Sequence, residues 1–380
     1  MKEFLSLYVH MPWCVRKCPY CDFNSYPKPC SGIPEREYIN KLLENLHAMS
    51  ERYPLPGFDT VFLGGGTPSL FDPGNLNDLI DGIASVAGIC ADAEITIEAN
   101  PGTCDYDRLR RLRTRFNRIS FGVQSFNDRL LGRISRIHDG KTAMDCIRAA
   151  RKAGFDNINL DLMYALPGED LADCIEDIEK ASDLGPDHIS WYELTIEDDT
   201  AFGADPPSDL PDEDAKADMS EAGIAKLLQE GYRRYEISNY AREKKCRHNL
   251  AYWNFDDYLG IGAGAHSKIT DRTNMKIVRM HQPESPRQFM QERDFFKNLQ
   301  TVGNGDLIFQ YFLNRGRLVD EVIGLDEISA ATFVSRESLR RDIGKLIEEG
   351  YVAMLDENRF RISEKGFNYS NDMLLALLPD

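Results

Sequence analysis

The chain has 380 residues, of which 42% are hydrophobic and 28% are charged, a composition typical of a soluble protein with one large and one smaller domain. Its formal net charge of −17 argues against nucleic acids or anionic membranes as general partners. No apolar run reaches the roughly 18 residues that a membrane span needs. Residues 1–11 indicate a short strand and not a targeting peptide, which predicts a cytoplasmic protein.

The first half of the chain alternates short β-rich runs with helical runs, a pattern that predicts repeated βα units and a parallel sheet. The predicted strands cover residues 5–10, 60–63, 94–98, 117–123, 157–162 and 188–194. The predicted helices cover residues 35–52, 73–87, 104–115, 141–153 and 169–184. Six such units predict an α/β fold with a partial TIM-like (β/α)6 barrel, in which ligands bind at the C-terminal ends of the strands.

In the second half of the chain, the pattern of predicted elements changes at two places. Residues 203–214, rich in Pro and Asp, predict an exposed loop, and residues 260–264 predict a glycine-rich turn. Further predicted elements are a helix over 214–230, a strand over 235–239, helices over 306–313, 325–331 and 335–348, and a hairpin with strands over 351–355 and 359–362. Helices followed by a small hairpin resemble a winged helix.

This pattern predicts three parts of the chain. They are a barrel core over 1–200, an α+β extension of the barrel over 201–304, and a small winged-helix-like domain over 305–380. A winged helix invites a DNA-binding hypothesis, but residues 306–380 contain nine Lys and Arg against fourteen Asp and Glu. This acidic balance argues against DNA binding.

Three cysteines, Cys14, Cys18 and Cys21, lie within eight residues directly after the first predicted strand. Thiolates are preferred ligands of iron–sulfur clusters, and three of them could hold three corners of a cubane and leave the fourth iron open to a small molecule. Zinc stays an alternative, although it usually takes four ligands with paired Cys-x2-Cys spacing. A disulfide would leave one thiol unpaired, and the odd total of nine cysteines favours a reducing compartment.

Polar or glycine residues follow the other predicted barrel strands. The second strand runs into GGGTP at residues 64–68, where consecutive glycines let the backbone approach a ligand closely. Glu98, Gln124 and Asp161 follow the apolar runs of the next three strands. Because these positions meet at one edge of the barrel, they predict a pocket for a polar ligand.

Together these features resemble the radical S-adenosylmethionine superfamily, and within it the branch of oxygen-independent coproporphyrinogen III dehydrogenase. The markers are YVHMP at 8–12, the three cysteines, GGGTP at 64–68, FGVQSF at 121–126 and DLMYALP at 161–167, and the resemblance extends over nearly the whole chain. It implies that Cys14, Cys18 and Cys21 bind a [4Fe–4S] cluster whose open iron binds S-adenosylmethionine.

The resemblance also implies which residues contact S-adenosylmethionine. They are Tyr8, Tyr20, Gly65, Gly66, Thr67, Glu98, Gln124, Arg136 and Asp161. Arg133 could be aligned in place of Arg136. The spacing from Gln124 and the sequence Arg136-Ile137-His138 favour Arg136.

Two activities are open within this branch: oxidative decarboxylation of coproporphyrinogen III, and the heme chaperone type (HemW), which hands heme to an acceptor. Three features favour the chaperone. The dehydrogenases resemble Cys-x3-Cys-x2-Cys-x-Cys, whereas Phe23 stands here at the last position. They also carry an N-terminal extension, for which a first strand at residue 5 leaves no room. Finally, HNLAYW at 248–253 matches the His-Asn-x-x-Tyr-Trp motif of the chaperone group.

This motif implies heme contacts by His248, Asn249, Tyr252 and Trp253. Neutral imidazole is a common axial ligand of heme iron, and aromatic side chains can cover a flat macrocycle. The thiolate of Cys246 is a competing ligand. We expect His10 to support the turn after the first strand, and His266 follows the glycine-rich turn without an identified partner.

The chaperone reading implies further partners. They are an electron donor such as a flavodoxin-type protein and a heme-acceptor protein that we expect to be bound to a membrane. Coproporphyrinogen dehydrogenase activity is not expected. Whether S-adenosylmethionine is cleaved in turnover stays open.

Overall fold

The structure, a computed structural model, describes residues 4–378 and begins with six consecutive strand–helix units. The strands of this part are β1 (Leu5–Met11), β2 (Trp13–Cys14), β3 (Tyr26–Pro27), β4 (Phe58–Gly65), β5 (Ile89–Ala99), β6 (Arg118–Gln124), β7 (Ile158–Tyr164) and β8 (His188–Glu193). The helices are α1 (Glu35–Arg52), α2 (Pro73–Ala87), α3 (Tyr106–Leu112), α4 (Asp128–Arg133), α5 (Gly140–Lys152) and α6 (Leu171–Asp183). The predicted barrel strands and helices are therefore confirmed.

Strands β1 and β4 to β8 lie side by side in chain order, and all of them run parallel. Their apolar side chains, such as Leu7, Val61, Ile97, Ile119 and Leu160, are fully buried. Near-continuous apolar runs are expected where both faces of a parallel sheet are covered. Because all six strands point the same way, their C-terminal ends meet at one edge, where the candidate site lies.

The middle of the chain extends this sheet on both sides. Its elements are α7 (Ala201–Ala204), α8 (Glu213–Gln229), β9 (Arg233–Arg234), β10 (Asn239–Ala241), α9 (Arg247–Trp253), β11 (Tyr258–Ile261), β12 (His266–Asp271), β13 (Lys276–His281), α10 (Pro286–Gln291) and β14 (Gln300–Thr301). The resulting sheet has twelve strands in the order β14-β13-β12-β11-β1-β4-β5-β6-β7-β8-β10-β9. The partial barrel thus ends in short antiparallel strands on both sides.

Strand β11 corrects the predicted glycine-rich turn. It pairs with β1 in parallel, with Gly260 opposite Tyr8, and forms a seventh parallel strand. The turn itself is limited to Gly262 and Gly264, which have φ angles of 102° and 75°. Gly260 is required by close packing, because a Cβ there would lie 2.1 Å from the carbonyl oxygen of His266.

The predicted strand over 235–239 is wrong. The chain forms a turn between β9 and β10, in which a carboxylate oxygen of Glu236 accepts a hydrogen bond of 2.9 Å from the backbone N–H of Ser238. A buried side chain that closes a turn is not visible in the local β propensity of the segment.

The C-terminal part has the element order of a winged helix. Its elements are α11 (Asn304–Arg315), β15 (Val322–Gly324), α12 (Leu325–Thr332), α13 (Arg336–Glu348), β16 (Val352–Met354), β17 (Arg359–Ile362), α14 (Glu364–Asn368) and α15 (Ser370–Leu375). The three strands form a separate sheet over a cluster that contains Phe312, Ile328, Leu339 and Phe360. The domain limits at residues 200 and 304 stay a prediction.

We find no helix among residues 4–378 that is long and apolar enough to cross a membrane.

Candidate functional site

The three cysteines line one cavity of about 450 Å³ at the C-terminal edge of the parallel strands. The loop that carries them leaves β1 and is held against the glycine run after β4. The backbone N–H groups of Gly66 and Thr67 donate hydrogen bonds of 2.8 Å to the carbonyl oxygens of Met11 and Trp13. Cys14 itself lies in the short strand β2. The sequence prediction that the cysteines face the strand ends is consistent with this geometry.

The glycine run is required by this close approach. A Cβ at Gly66 would lie 2.5 Å from the carbonyl oxygen of Trp13, and Gly65 has a φ of 112°. Backbone atoms cannot move aside as the end of a flexible side chain can, so both positions favour glycine. The backbone of Gly65, Gly66 and Thr67 therefore forms one wall of the cavity beside the cysteine loop.

Two partly buried carboxyl groups, those of Glu98 and Asp161, line the cavity. Burial, and secondarily the nearby Asp161, raise the pKa of Glu98 to about 8. Glu98 accepts a hydrogen bond of 3.0 Å from the N–H of Gly65, which ties the glycine wall to β5. Burial also raises the pKa of Asp161, although it accepts hydrogen bonds from Asn159 at 2.7 Å and Ser120 at 3.1 Å. Both carboxyls can accept hydrogen bonds from a polar ligand.

Arg136 lines the cavity, whereas Arg133 does not. One guanidinium nitrogen of Arg136 lies 3.6 Å from the sulfur of Cys18, a second donates to the carbonyl oxygen of Gly122, and Nε is buried without a partner among the described residues. Arg133 forms a half-exposed ion pair with Asp209 outside the cavity. The geometry therefore agrees with the preference for Arg136 from the sequence spacing.

Gln124 reaches the same cavity from the end of β6, where the strand register shifts and its φ is 68°. Its side-chain oxygen accepts a hydrogen bond of 3.2 Å from the hydroxyl of Tyr192. Tyr20, from the cysteine loop, completes this side of the cavity. Of the nine residues expected to contact S-adenosylmethionine, only Tyr8 does not line this cavity.

The donor set fits an iron–sulfur cluster. No three His, Cys, Asp or Glu side chains of the described part of the chain are arranged around a single metal ion. In a cubane each thiolate binds a different iron, so the thiols need only face one shared space, as Cys14, Cys18 and Cys21 do. Burial raises the pKa of Cys14 to about 11, so binding a cluster would displace its proton. The adjacent guanidinium of Arg136 would offset part of the negative charge.

A second cavity, of about 580 Å³, adjoins the first. Aromatic rings line one part of it, namely those of Tyr8, Phe62, Tyr252, Trp253 and Tyr258, and polar side chains such as Glu98, Arg118 and Asp161 line another part. The residues that line both cavities are Phe23, Glu98, Asp161, Ser190, Asn249 and Trp253. Phe23, which stands where the resemblance expects a cysteine, thus lies at the junction of the two cavities.

Helix α9 brings four residues of the HNLAYW motif to the second cavity, namely His248, Asn249, Tyr252 and Trp253. The helix begins against Glu94, whose carboxylate accepts hydrogen bonds of 3.1 Å from the backbone N–H groups of Arg247 and His248. An anionic side chain is favourable at this end of a helix.

Both ring nitrogens of His248 are occupied. Nδ1 is 2.8 Å from the hydroxyl of Thr60, and Nε2 is 3.0 Å from the hydroxyl of Tyr252. Coordination of iron by this imidazole would require one of these hydrogen bonds to break. Cys246, the competing thiol, is fully buried and lines neither cavity.

Sequence reasoning missed several residues that face the first cavity, and two of them are instructive. Tyr192 lies at the end of the sixth barrel strand, so its strand-end position was a usable signal. Arg317 comes from the C-terminal part of the chain and lies 4.4 Å above the ring of Trp253, a contact between positions 64 residues apart that no local pattern indicates.

His10 supports the cysteine loop, as expected. Its Nε2 lies 2.8 Å from the carbonyl oxygen of Asn24, and its Nδ1 lies 3.0 Å from the hydroxyl of Tyr8.

Comparison with known proteins gives consistent results. The family model of the radical SAM superfamily matches residues 8–181. The chain is 41% identical to a protein of Escherichia coli named heme chaperone HemW, over 99% of this chain and 98% of that protein. It is 30% identical to the mouse protein named radical S-adenosyl methionine domain-containing protein 1, mitochondrial, over 98% of this chain and 87% of the mouse protein.

Among solved structures, the chain is similar to the coproporphyrinogen III oxidase HemN of Escherichia coli, with a TM-score of 0.81. The identity is 24%, and the match covers 98% of this chain and 90% of that one, so this likeness establishes the fold alone. The identity to HemW proteins over the full length goes further. By these comparisons the chain belongs to the HemW family within the radical SAM superfamily.

Proposed function

We propose that this protein is a heme chaperone, which holds a [4Fe–4S] cluster and S-adenosylmethionine in the first cavity, binds heme in the second and transfers it to an acceptor protein. The observation that carries the proposal is the aromatic cavity built by the HNLAYW motif beside the cavity that the three cysteines line. The names of its relatives support it.

In this proposal Cys14, Cys18 and Cys21 hold the cluster. The cluster and S-adenosylmethionine, when bound, would supply the radical chemistry for which the superfamily is named. The chain orients the cofactor: Glu98, Asp161 and Gln124 accept hydrogen bonds from its polar groups, while the backbone of the glycine wall carries its amino-acid end.

Heme, in this proposal, is cargo. The rings of Tyr252 and Trp253 would cover the macrocycle, and His248 would hold the hydroxyl of Tyr252 in place. Asn249 lines both cavities, so a ligand in the first cavity would contact a residue that also faces the second.

Oxidative decarboxylation of coproporphyrinogen III is the second candidate. Because the chain shares the fold of a coproporphyrinogen III oxidase, this activity has to be tested as well. Phe23 counts against it, because an exposed phenylalanine stands at the junction of the cavities where that branch has a fourth cysteine.

Two parallel assays separate these functions. Anaerobically prepared protein with its cluster is titrated with hemin, and the hemin-loaded protein is mixed with apomyoglobin as a general acceptor. We expect stoichiometric binding and release to the acceptor. The same preparation, with S-adenosylmethionine, a low-potential reductant and coproporphyrinogen III, is analysed by chromatography. Decarboxylated product over several turnovers would contradict the chaperone proposal.

The partners of this function are proposals as well. An electron donor such as a flavodoxin-type protein would reduce the cluster, and the heme acceptor would be a membrane-bound protein. The transfer would take place in the cytoplasm.

A further inference from the structure

Three histidines line the second cavity, and two of them are held by hydrogen bonds at both ring nitrogens. His10 is held by Tyr8 and Asn24, and His248 by Thr60 and Tyr252. An imidazole in such a setting can bind iron only after it gives up a buried hydrogen bond, which is unfavourable. The imidazole rings of His10 and His248 therefore have a structural role in the wall of the second cavity.

The phenols that face the same cavity are also engaged. The hydroxyl of Tyr8 contacts His10, that of Tyr252 contacts His248, and that of Tyr258 accepts a hydrogen bond of 2.8 Å from Arg279. Burial raises the pKa of all three tyrosines, which disfavours the tyrosinate form that binds heme iron. The second cavity has no cysteine among its lining residues in the described part of the chain.

His266 is different. It lies on the wall of the second cavity at the start of β12, its side chain is solvent-accessible, and neither ring nitrogen has a hydrogen-bond partner among the described residues. Its ring stacks on that of His281 across the β12–β13 pair, with 5.3 Å between the centroids. An accessible imidazole with both nitrogens available is the form that coordinates heme iron.

The backbone of His266 is nevertheless fixed. It packs against Gly260 so closely that no Cβ fits between them. The preceding turn is tied to the cysteine loop, because the side-chain amide of Asn24 donates a hydrogen bond of 3.1 Å to the carbonyl oxygen of Ala263. A rigid backbone with an uncommitted side chain suits a ligand that must bind and then release its cargo.

We infer that His266 is the axial ligand of the heme iron, while the HNLAYW segment forms the wall against which the macrocycle lies. This assignment rests on the proposed function and adds to it the residue that holds the metal. It also leaves His248 of the motif with a structural role, because both of its ring nitrogens already form hydrogen bonds.

The test is a hemin titration of the cluster-containing full-length protein, read by optical absorption and by electron paramagnetic resonance of the ferric heme. His266→Gln is compared with wild type, with the matched variant His281→Gln and with His248→Gln. We expect His266→Gln to lose the nitrogen-ligated heme signal and to weaken hemin affinity roughly 10- to 100-fold, the range seen when even an outer partner of a metal ligand is removed. His281→Gln should keep the signal.

His266→Gly with added imidazole keeps the test decisive if the glutamine variant folds poorly. Return of the nitrogen-ligated signal on addition of imidazole supports the assignment. Wild-type signal and affinity in His266→Gln, with their loss in His248→Gln, would overturn the assignment and leave the chaperone function standing. Wild-type protein that binds no hemin at all would overturn the proposed function itself, and the ligand assignment with it.

Discussion

Burial sets the chemistry of the individual side chains that face the first cavity. Cys14 and Cys21 have raised pKa values because their thiolates would be poorly solvated. A cluster removes this penalty, since each sulfur then bears iron in place of a proton. In the proposed function, a bound cluster would therefore replace the protons of these thiols.

Replacing one of the proposed cluster ligands tests this directly. Cys18→Ala removes the thiol beside Arg136, and two remaining thiols are too few to hold three corners of a cubane. We expect iron and sulfide content to fall to background after anaerobic reconstitution. Cys90→Ala, a partly buried thiol outside both cavities, is the control and should retain the wild-type content. A fully loaded Cys18→Ala protein would place the cluster elsewhere.

Glu98 gives a prediction for the dependence of stability on pH. Its pKa in the folded protein is about 8 against an ordinary value of 4.5, so between these values the folded protein binds more protons than the unfolded chain. Its contribution to stability is therefore present at low pH and is lost as pH rises through that window. Each pKa unit corresponds to about 1.4 kcal/mol at most.

In Glu98→Gln the side chain stays neutral, so the loss of folding stability with rising pH should disappear. In urea unfolding of the apoprotein, the variant should gain stability over wild type progressively as pH rises from about 5 to about 8. Glu357→Gln, at an exposed position, is the control and should follow the wild-type profile. A constant difference between Glu98→Gln and wild type over this range would show that the carboxyl does not titrate there.

At the scale of secondary-structure elements, β4 and the segment after it position the cysteine loop. The loop reaches the glycine run through backbone hydrogen bonds, and no side chain fits between the two segments at Gly66. A change of this wall should therefore move the cysteines, although they are some 50 residues away in sequence.

Gly66→Ala tests the role of this wall. The added methyl group would lie 2.5 Å from the carbonyl oxygen of Trp13 and 2.9 Å from that of Met11, so the loop has to shift. We expect at least a roughly tenfold loss of S-adenosylmethionine affinity by equilibrium dialysis, which corresponds to about 1.4 kcal/mol. Gly132→Ala, whose Cβ meets nothing within 4 Å, should bind as wild type does. Equal affinities in the two variants would contradict the tight wall.

The strands and helices also show which parts of the fold could be predicted from the sequence and which could not. The six barrel strands follow from apolar runs bounded by polar strand ends, and those strand ends contain most of the predicted cavity residues. The sequence predicts a turn over residues 260–264, where the end of β11 lies, because glycine has low strand propensity and Gly260 is required by its packing against His266. The second cavity was not predicted as a cavity, since α9, β1 and β11 meet there only in the folded chain.

At the scale of the whole molecule, an ion pair between a partly exposed arginine and a buried carboxylate joins the C-terminal part to the barrel extension. Arg317 donates a hydrogen bond of 3.0 Å to the carboxylate of Glu236, which is 0% exposed, and lies over the ring of Trp253. The C-terminal part is thus connected to the wall of both cavities and to the turn before β10.

Breaking this pair should destabilise the protein. Arg317→Met leaves the carboxylate of Glu236 buried without its cation, which we expect to cost roughly 2–4 kcal/mol in the free energy of unfolding. The double variant Arg317→Met/Glu236→Gln should recover most of that loss. Arg336→Met, which breaks an exposed pair with Asp326, should cost less than about 1 kcal/mol. Chemical denaturation measures all three, and an unaltered Arg317→Met protein would contradict the argument.

The wall shared by the two cavities has a thermodynamic consequence. Any change that a ligand in the first cavity imposes on Phe23, Asn249 or Trp253 is also a change in the second. If S-adenosylmethionine alters the dissociation constant of heme by some factor, heme must alter that of S-adenosylmethionine by the same factor. Under the proposed function, the state of the cofactor would in this way set the affinity for heme, and release of heme would change the affinity for the cofactor.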